Sequence, residues 1–257
     1  MSQEHPGQFK RTVLVTGALL TVFAFLVGFY VLPRAQTNTL EGIWQGICRA
    51  AGLVPARSPS TDVASPELSS VVVPSSMRGS GSPEQIGRGA TLALRCTMCH
   101  GASGLSEANS PNLSGQYADV IYKQLIDYRR GARVDVVVMT SLAKTLSDQQ
   151  VTELAHYYAY LPKPGGRVNL NDAPALVRVG DPIRNIAPCA SCHGSSDRTA
   201  NAPRIDGEPR SYLERQLIAF RSDARHNDVN GSMRNVAHQM TSTEIAEVSR
   251  YYAALRP

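Results

Sequence analysis

The chain has no run of basic residues and little aromatic content: 6% of its 257 residues are Phe, Trp or Tyr, and Trp44 is the one tryptophan. A nucleic-acid surface concentrates Lys and Arg on one face and interleaves them with aromatics. Neither pattern is present. The net charge of +5 comes mostly from arginines scattered along the chain, which reads as solvated surface and excludes nucleic acid as a partner. The chain also lacks the alternating strand and helix pattern of a βαβ unit, which removes the thioredoxin-like reading of a Cys-x-x-Cys pair.

Charge is missing altogether from Thr12 to Leu32, TVLVTGALLTVFAFLVGFYVL, between Lys10-Arg11 and Pro33-Arg34. About 20 apolar residues at about 1.5 Å each cross a bilayer core of about 30 Å, so this segment is expected to span a membrane. A cleaved signal peptide has an apolar region of about 7–15 residues and a small-x-small site, whereas here LPRAQ follows. The expectation is therefore an uncleaved anchor, with Lys10 and Arg11 cytoplasmic and everything after Arg34 across the membrane.

Just beyond, Leu40, Ile43, Trp44, Ile47, Cys48 and Ala51 recur on one face of a short amphipathic helix. That helix suits three places: the headgroup level with Trp44 as anchor, a partner's membrane helix, or a cap on the globular part. Cys48 has no pairing partner if the other four cysteines are used, and reads as a buried thiol or an intermolecular disulfide. Residues 55–83 are rich in Ser, Pro and Gly without a period, which predicts a mobile tether; about 30 coil residues reach roughly 30 Å. The expected organisation is a cytoplasmic tip and anchor (1–36), a juxtamembrane helix (37–54), the linker (55–83), and two domains (84–166 and 167–257).

Four cysteines fall in two identical motifs, Cys96-Thr97-Met98-Cys99-His100 and Cys189-Ala190-Ser191-Cys192-His193. C-x-x-C-H reads as a c-type haem attachment site. Two thiols one helical turn apart reach the two vinyl groups, and the next residue puts a neutral imidazole under the iron. A zinc site of four thiolates leaves the histidine unexplained, and its second Cys pair usually follows within about 15–20 residues. Here the second pair stands about 90 residues on.

Placing Cys96 over Cys189 aligns much more than the motif, so the chain reads as a duplication. Gly87 falls on Gly180; YKQLIDYRRGAR (122–133) matches ERQLIAFRSDAR (214–225); MTSLAKTLSDQQVTELAHYYAYL from Met139 matches MRNVAHQMTSTEIAEVSRYYAAL from Met233. This last register singles out Met139 and Met233 as the axial thioethers opposite His100 and His193. Met98 sits inside the motif, Met77 lies in the expected linker, and Met240 aligns with Leu146 and reads as core. His156, His226 and His238 have no counterpart histidine in the other half and read as surface residues. A thioether is a soft neutral donor that favours ferrous iron and raises the potential. It also fills the coordination sphere, which points to electron transfer with no catalytic residues.

Two class I cytochrome c units in tandem, C-x-x-C-H early, Met late and a closing helix with Tyr-Tyr: from Glu84 to Pro257 the chain resembles the dihaem cytochrome c4 family. The resemblance implies an all-α fold in each half: a helix leading into C-x-x-C-H, a middle helix around Lys123–Tyr128 (Arg215–Phe220), and a last helix over Ser147–Leu161 (Thr241–Leu255). The residues agree on the last helices, since Ser147/Gln150 and Thr241/Glu244 form capping-box starts and Pro162 ends the first. The resemblance also implies that Pro111 and Pro203 offer carbonyls to the proximal imidazoles. Arg129, Arg133, Arg221 and Arg225 read as haem-propionate partners or as surface arginines. The valines before Met139 contrast with the polar segment before Met233, so a drier loop is expected to give the first haem the higher potential, unless the valines face a partner or the other domain.

The expected function is a single-pass dihaem electron carrier on the periplasmic face of a bacterial inner membrane, with two covalently bound haem c groups. It would accept electrons from a quinol-oxidising complex or dehydrogenase and pass them to a terminal oxidase or reductase, with membrane lipid as a further contact. A fixed subunit of such a complex is the second reading, and a dihaem peroxidase-type enzyme the third.

Overall fold

The structure is a computed structural model that describes residues 6–27, 68–163, 168–194 and 202–255. The Trp44 helix and Cys48 lie outside the described residues, as do positions 28–32 of the expected membrane span. The chain divides into two compact units, Met1–Val63 and Ala64–Pro257.

The first unit contributes helix α1, Pro6–Leu26. Its apolar side chains, Leu14, Leu19 and Phe23 among them, are solvent-exposed. The hydroxyls of Thr16 and Thr21 donate to the carbonyls of Thr12 and Gly17 (2.8 and 2.9 Å), so each polar group is satisfied within the helix. Among the described residues no helix is long and apolar enough to cross a membrane.

The second unit holds both halves of the repeat, and its described residues are helical with one isolated antiparallel bridge, Asp181–Ile186. In the first half, α2 (Pro83–Ala93) leads into the first motif helix α3 (Thr97–His100), followed by α4 (Ala118–Arg130), α5 (Val137–Lys144) and α6 (Asp148–Tyr160). The second half runs α7 (Ala175–Arg178), the motif helix α8 (Cys189–His193), α9 (Arg210–Arg221), α10 (Ser232–Gln239) and α11 (Ser242–Ala254).

The capping boxes form as the sequence predicts: Ser147 with Gln150, and Thr241 with Glu244. A third, Ser82 with Gln85 and Pro83 in the first turn, starts α2. Where α2 crosses α6, Gly89 is required by space, because a Cβ there would lie 2.3 Å from the carbonyl oxygen of Glu153.

Three expectations are corrected. Among the described residues the second half has no long helix before its motif. Pro174, Pro182 and Pro188 interrupt the segment, and Gly180 takes φ +68°, where a Cβ would meet Ile186 O at 2.3 Å, so Gly180 turns the chain while its aligned partner Gly87 sits within α2. The tether does not extend to Pro83. Met77 is 2% exposed and packs with Ala93, Ile121, Leu154 and Tyr158, and Ser69 Oγ donates to Asp127 at 2.6 Å. Val73 and Met77 are the residues of this Ser-rich run that pack into the first core. Finally, His156 and His226 are buried, 4% exposed each: His156 lies under Gly81, and His226 stands between Arg225 and Asn227 in the seam between the halves. His238 is exposed, 3.2 Å from Asp223.

Each half has its own apolar core, around Met77, Ile121, Leu154 and Tyr158 in the first and around Val177, Ile186, Met240, Ile245 and Tyr252 in the second. Met240 is core, as its register with Leu146 indicates.

Candidate functional site

Both C-x-x-C-H motifs form a single helical turn at the start of their half. In the first, His100 N–H donates to Cys96 O at 2.9 Å and Gly101 N–H to Thr97 O. Gly101 then takes φ +75°, and a Cβ there would lie 1.9 Å from Leu105 O, so only glycine lets the chain turn directly after the histidine. In each motif the first cysteine is half-buried and the second exposed: Cys96 and Cys99, Cys189 and Cys192. No disulfide joins these four. Burial raises the pKa of Cys96 and pushes Cys189 up to about 11.

The imidazoles are set identically. His100 Nδ1 lies 2.8 Å from Pro111 O, and His193 Nδ1 lies 2.8 Å from Pro203 O. A carbonyl only accepts, so each Nδ1 carries the proton and each Nε2 keeps its lone pair for a metal. Burial lowers the pKa of both histidines, opposed in part by the proline carbonyl, which keeps the rings neutral as ligation requires.

Met139 lies in the first turn of α5 and Met233 in the first turn of α10, both half-buried. Val136, Val137 and Val138 before Met139 are exposed, at 39%, 77% and 60%.

Tyr158 and Tyr252, at equivalent places in α6 and α11, are buried with their hydroxyls near Cys96 and Cys189. Neither hydroxyl makes a hydrogen bond of normal geometry among the described residues. Buried groups of this kind usually have partners, so each half holds, beside the first cysteine of its motif, a polar atom that lacks one of normal geometry. Two thiols one turn apart, an imidazole with a free Nε2 and an unpartnered phenol fit a covalently attached porphyrin in each half. Bound haem supplies an iron that changes between ferrous and ferric.

The arginines are engaged with protein. Arg129 reaches Leu146 O (3.0 Å) and Asp148, and Arg221 reaches Ser242 Oγ (3.2 Å), so each ties a middle helix to the start of a last helix. Arg133 and Arg225 instead meet between the halves. Arg133 donates to Gln124 (2.7 Å) and Gln216 (2.9 Å); Arg225 donates to the same two side chains (3.3 and 2.5 Å). Each guanidinium also stacks on an aromatic ring, Tyr128 at 4.6 Å and Phe220 at 4.4 Å. The repeated Gln and Arg of the two aligned segments are the signal for this seam, since both halves offer the same surface to each other.

The helical fold and the twofold site define a protein of two c-type haem domains. A family model described as Cytochrome c matches residues 86–161. The chain is 36% identical over 168 residues to cytochrome c4 of Thiocapsa roseopersicina, covering 62% of this chain and 86% of that protein. It is 34% identical over 171 residues to the thiosulfate dehydrogenase electron acceptor of Stutzerimonas stutzeri, covering 63% and 79%. The crystal structure of reduced recombinant cytochrome c4 from Pseudomonas stutzeri matches with a TM-score of 0.59 and 28% identity, over 69% of this chain and 100% of that one. The chain belongs to the cytochrome c4 family: it is a dihaem electron-transfer cytochrome that binds two covalent haem c groups.

Proposed function

We propose that this chain is an electron carrier tethered to the periplasmic face of a bacterial inner membrane, taking electrons from a quinol-oxidising complex or dehydrogenase and delivering them to a terminal oxidase or reductase. Cys96 and Cys99 attach the first haem, with His100 and Met139 as axial ligands. Cys192 and Cys189 attach the second, with His193 and Met233. Pro111 and Pro203 orient the imidazoles. The observation that carries the reading is the repeated bond from imidazole Nδ1 to proline carbonyl, 2.8 Å in both halves, which leaves the same ring nitrogen free twice.

With a nitrogen and a sulfur ligand on each iron, no position is open to a substrate, and the residues have only to hold and insulate the porphyrin. The peroxidase-type reading needs one open or displaceable position and is disfavoured for that reason. The anchor is supported by the uncharged stretch Thr12–Leu32 and by the exposed apolar side chains of α1. A fixed-subunit reading is favoured by one observation, the similarity to a thiosulfate dehydrogenase electron acceptor; in that case the donor is a dehydrogenase bound to this chain.

Exposing the reduced protein to carbon monoxide tests the ligation. No spectral change is expected from the wild type, and Met139→Ala and Met233→Ala should each bind one equivalent. Carbon monoxide binding by the wild type would overturn the assignment of both methionines. Membrane extraction with and without residues 1–36 tests the tether, which fails if the truncated chain stays with the membrane.

A further inference from the structure

The peptide that orients each proximal histidine is held from the opposite half. Pro111 C=O, which accepts from His100, shares a peptide plane with the N–H of Asn112, and that N–H donates to Glu208 Oε2 at 2.8 Å. In the second half Pro203 C=O accepts from His193, and the N–H of Arg204 in the same peptide plane donates to Gln116 Oε1 at 3.0 Å. The exchange is reciprocal. Asn112 Nδ2 also donates to Gly207 O at 3.0 Å, and Gln116 Nε2 to Arg204 O at 2.9 Å. Gln116 and Glu208 are both buried, at 8% and 4% exposure, and Lys163 in the same cleft is taken up by Asp206 at 2.9 Å.

The two arrangements differ in one chemical respect: the first peptide is capped by a carboxylate and the second by a neutral amide. Hydrogen bonds in a chain polarise one another, and a bond to an ionised acceptor is the stronger kind. Glu208 therefore draws on the Asn112 proton, leaves more negative charge on the oxygen of Pro111, and tightens its hold on the Nδ1 proton of His100. An imidazole held this way is a more basic ligand through Nε2. A more basic ligand favours the ferric state and lowers the potential.

We propose that Glu208 and Gln116 are positioning residues acting across the seam, each tuning the haem of the other half through one peptide unit, and that the charge of Glu208 holds the first haem at a lower potential than a neutral residue would. The proposal rests on His100 and His193 being the iron ligands.

The test uses the holoprotein with Glu208→Gln and Gln116→Glu. Both keep a side-chain oxygen able to accept the peptide N–H; Gln116→Glu also gives up the Nε2 bond to Arg204 O, so Glu208→Gln is the cleaner test of charge. Spectroelectrochemical titration, with each wave assigned through haem-methyl NMR signals, should show the first wave moving up in Glu208→Gln while the second stays. In Gln116→Glu the second wave should move down while the first stays. The Asn112 amide proton of the reduced protein should shift upfield in Glu208→Gln. Equal movement of both waves in either variant would mean a general field effect, and stationary waves would mean no relay; each overturns the proposal. A His100→Gly variant that kept a six-coordinate first haem would defeat the ligand assignment itself, an outcome separate from either.

Discussion

The ammonium of Lys123 on α4 donates to the backbone carbonyl of Asn227 in the other half at 2.6 Å, while also donating to Asp127 at 2.5 Å. Asn227 returns the contact by donating Nδ2 to the same Asp127 oxygen at 2.7 Å, and Ser69 donates to the other at 2.6 Å. Lys123 and Asp127 are both buried, 4% and 0% exposed. Burial lowers the lysine's pKa and Asp127 opposes that shift. In the second half Arg215 and Ala219 take the places of Lys123 and Asp127, so the ion pair exists once and fastens the seam from one side.

Removing one member should be far worse than removing both. Lys123→Met leaves a buried carboxylate without its counter-charge, which costs about 3–5 kcal/mol. A Lys123→Met/Asp127→Leu double variant should recover most of that loss. Urea unfolding of the holoprotein checks this, and equal destabilisation by single and double variants would count against the pair as described.

Gly87 and Gly89 share helix α2. Gly89 meets α6 at the crossing, whereas nothing lies within 4 Å of a Cβ placed on Gly87. Gly89→Ala should destabilise by about 1–3 kcal/mol through overpacking. Gly87→Ala should stabilise by about 0.5–1 kcal/mol through helix propensity. The comparison of melting midpoints is sensitive to sign, and a stabilising Gly89→Ala would show that the helices do not cross there.

Acid should act on the second half through Arg184. Its guanidinium forks onto both oxygens of Glu244 (3.0 and 2.6 Å) and its Nε bonds Asp181 at 2.7 Å. Hydrogen bonds from Arg184 hold Glu244 down at about 2 and lower Asp181 as well. A folded-state pKa below the unfolded one means stability that is present above about 4.5 and is lost as pH falls toward 2. Arg184→Gln should lose stability at neutral pH and show a flatter decline between those limits, an effect weakened by salt. An acid limb unchanged from the wild type would remove Arg184 from the account.

Each half is near the size at which a protein core alone is marginal, and each buries a tyrosine hydroxyl with no normal partner. A variant with Ala at Cys96, Cys99, Cys189 and Cys192 should therefore lose much of its helical circular dichroism and its cooperative melt. Retention of both would show that the protein core suffices without porphyrin.

Much of the site was legible from residues close together in sequence. C-x-x-C-H is a covalent reach of one helical turn, and the capping boxes at Ser147 and Thr241 involve atoms three residues apart. The duplication made the middle and last helices readable twice. The helix expected before the second motif was not, because the repeat aligned Gly180 with Gly87 while prolines on either side of Gly180 prevent the same conformation. Met77 was hidden by its surroundings: Val71, Val72, Val73 and Met77 stand among Ser, Pro and Gly without a period, yet Met77 fills the first core.

The sequence alone determined the cofactor chemistry and the helical repeat, since thiol spacing, caps and hydrophobic periodicity act over a few residues and survive any arrangement of the rest. Only the tertiary structure decided what Lys123, Gln116, Arg133, Glu208 and Arg225 do. Their partners stand about 80–105 positions away in the chain, and a charged or amide side chain reads as surface until the burial that forces it to find a partner is known.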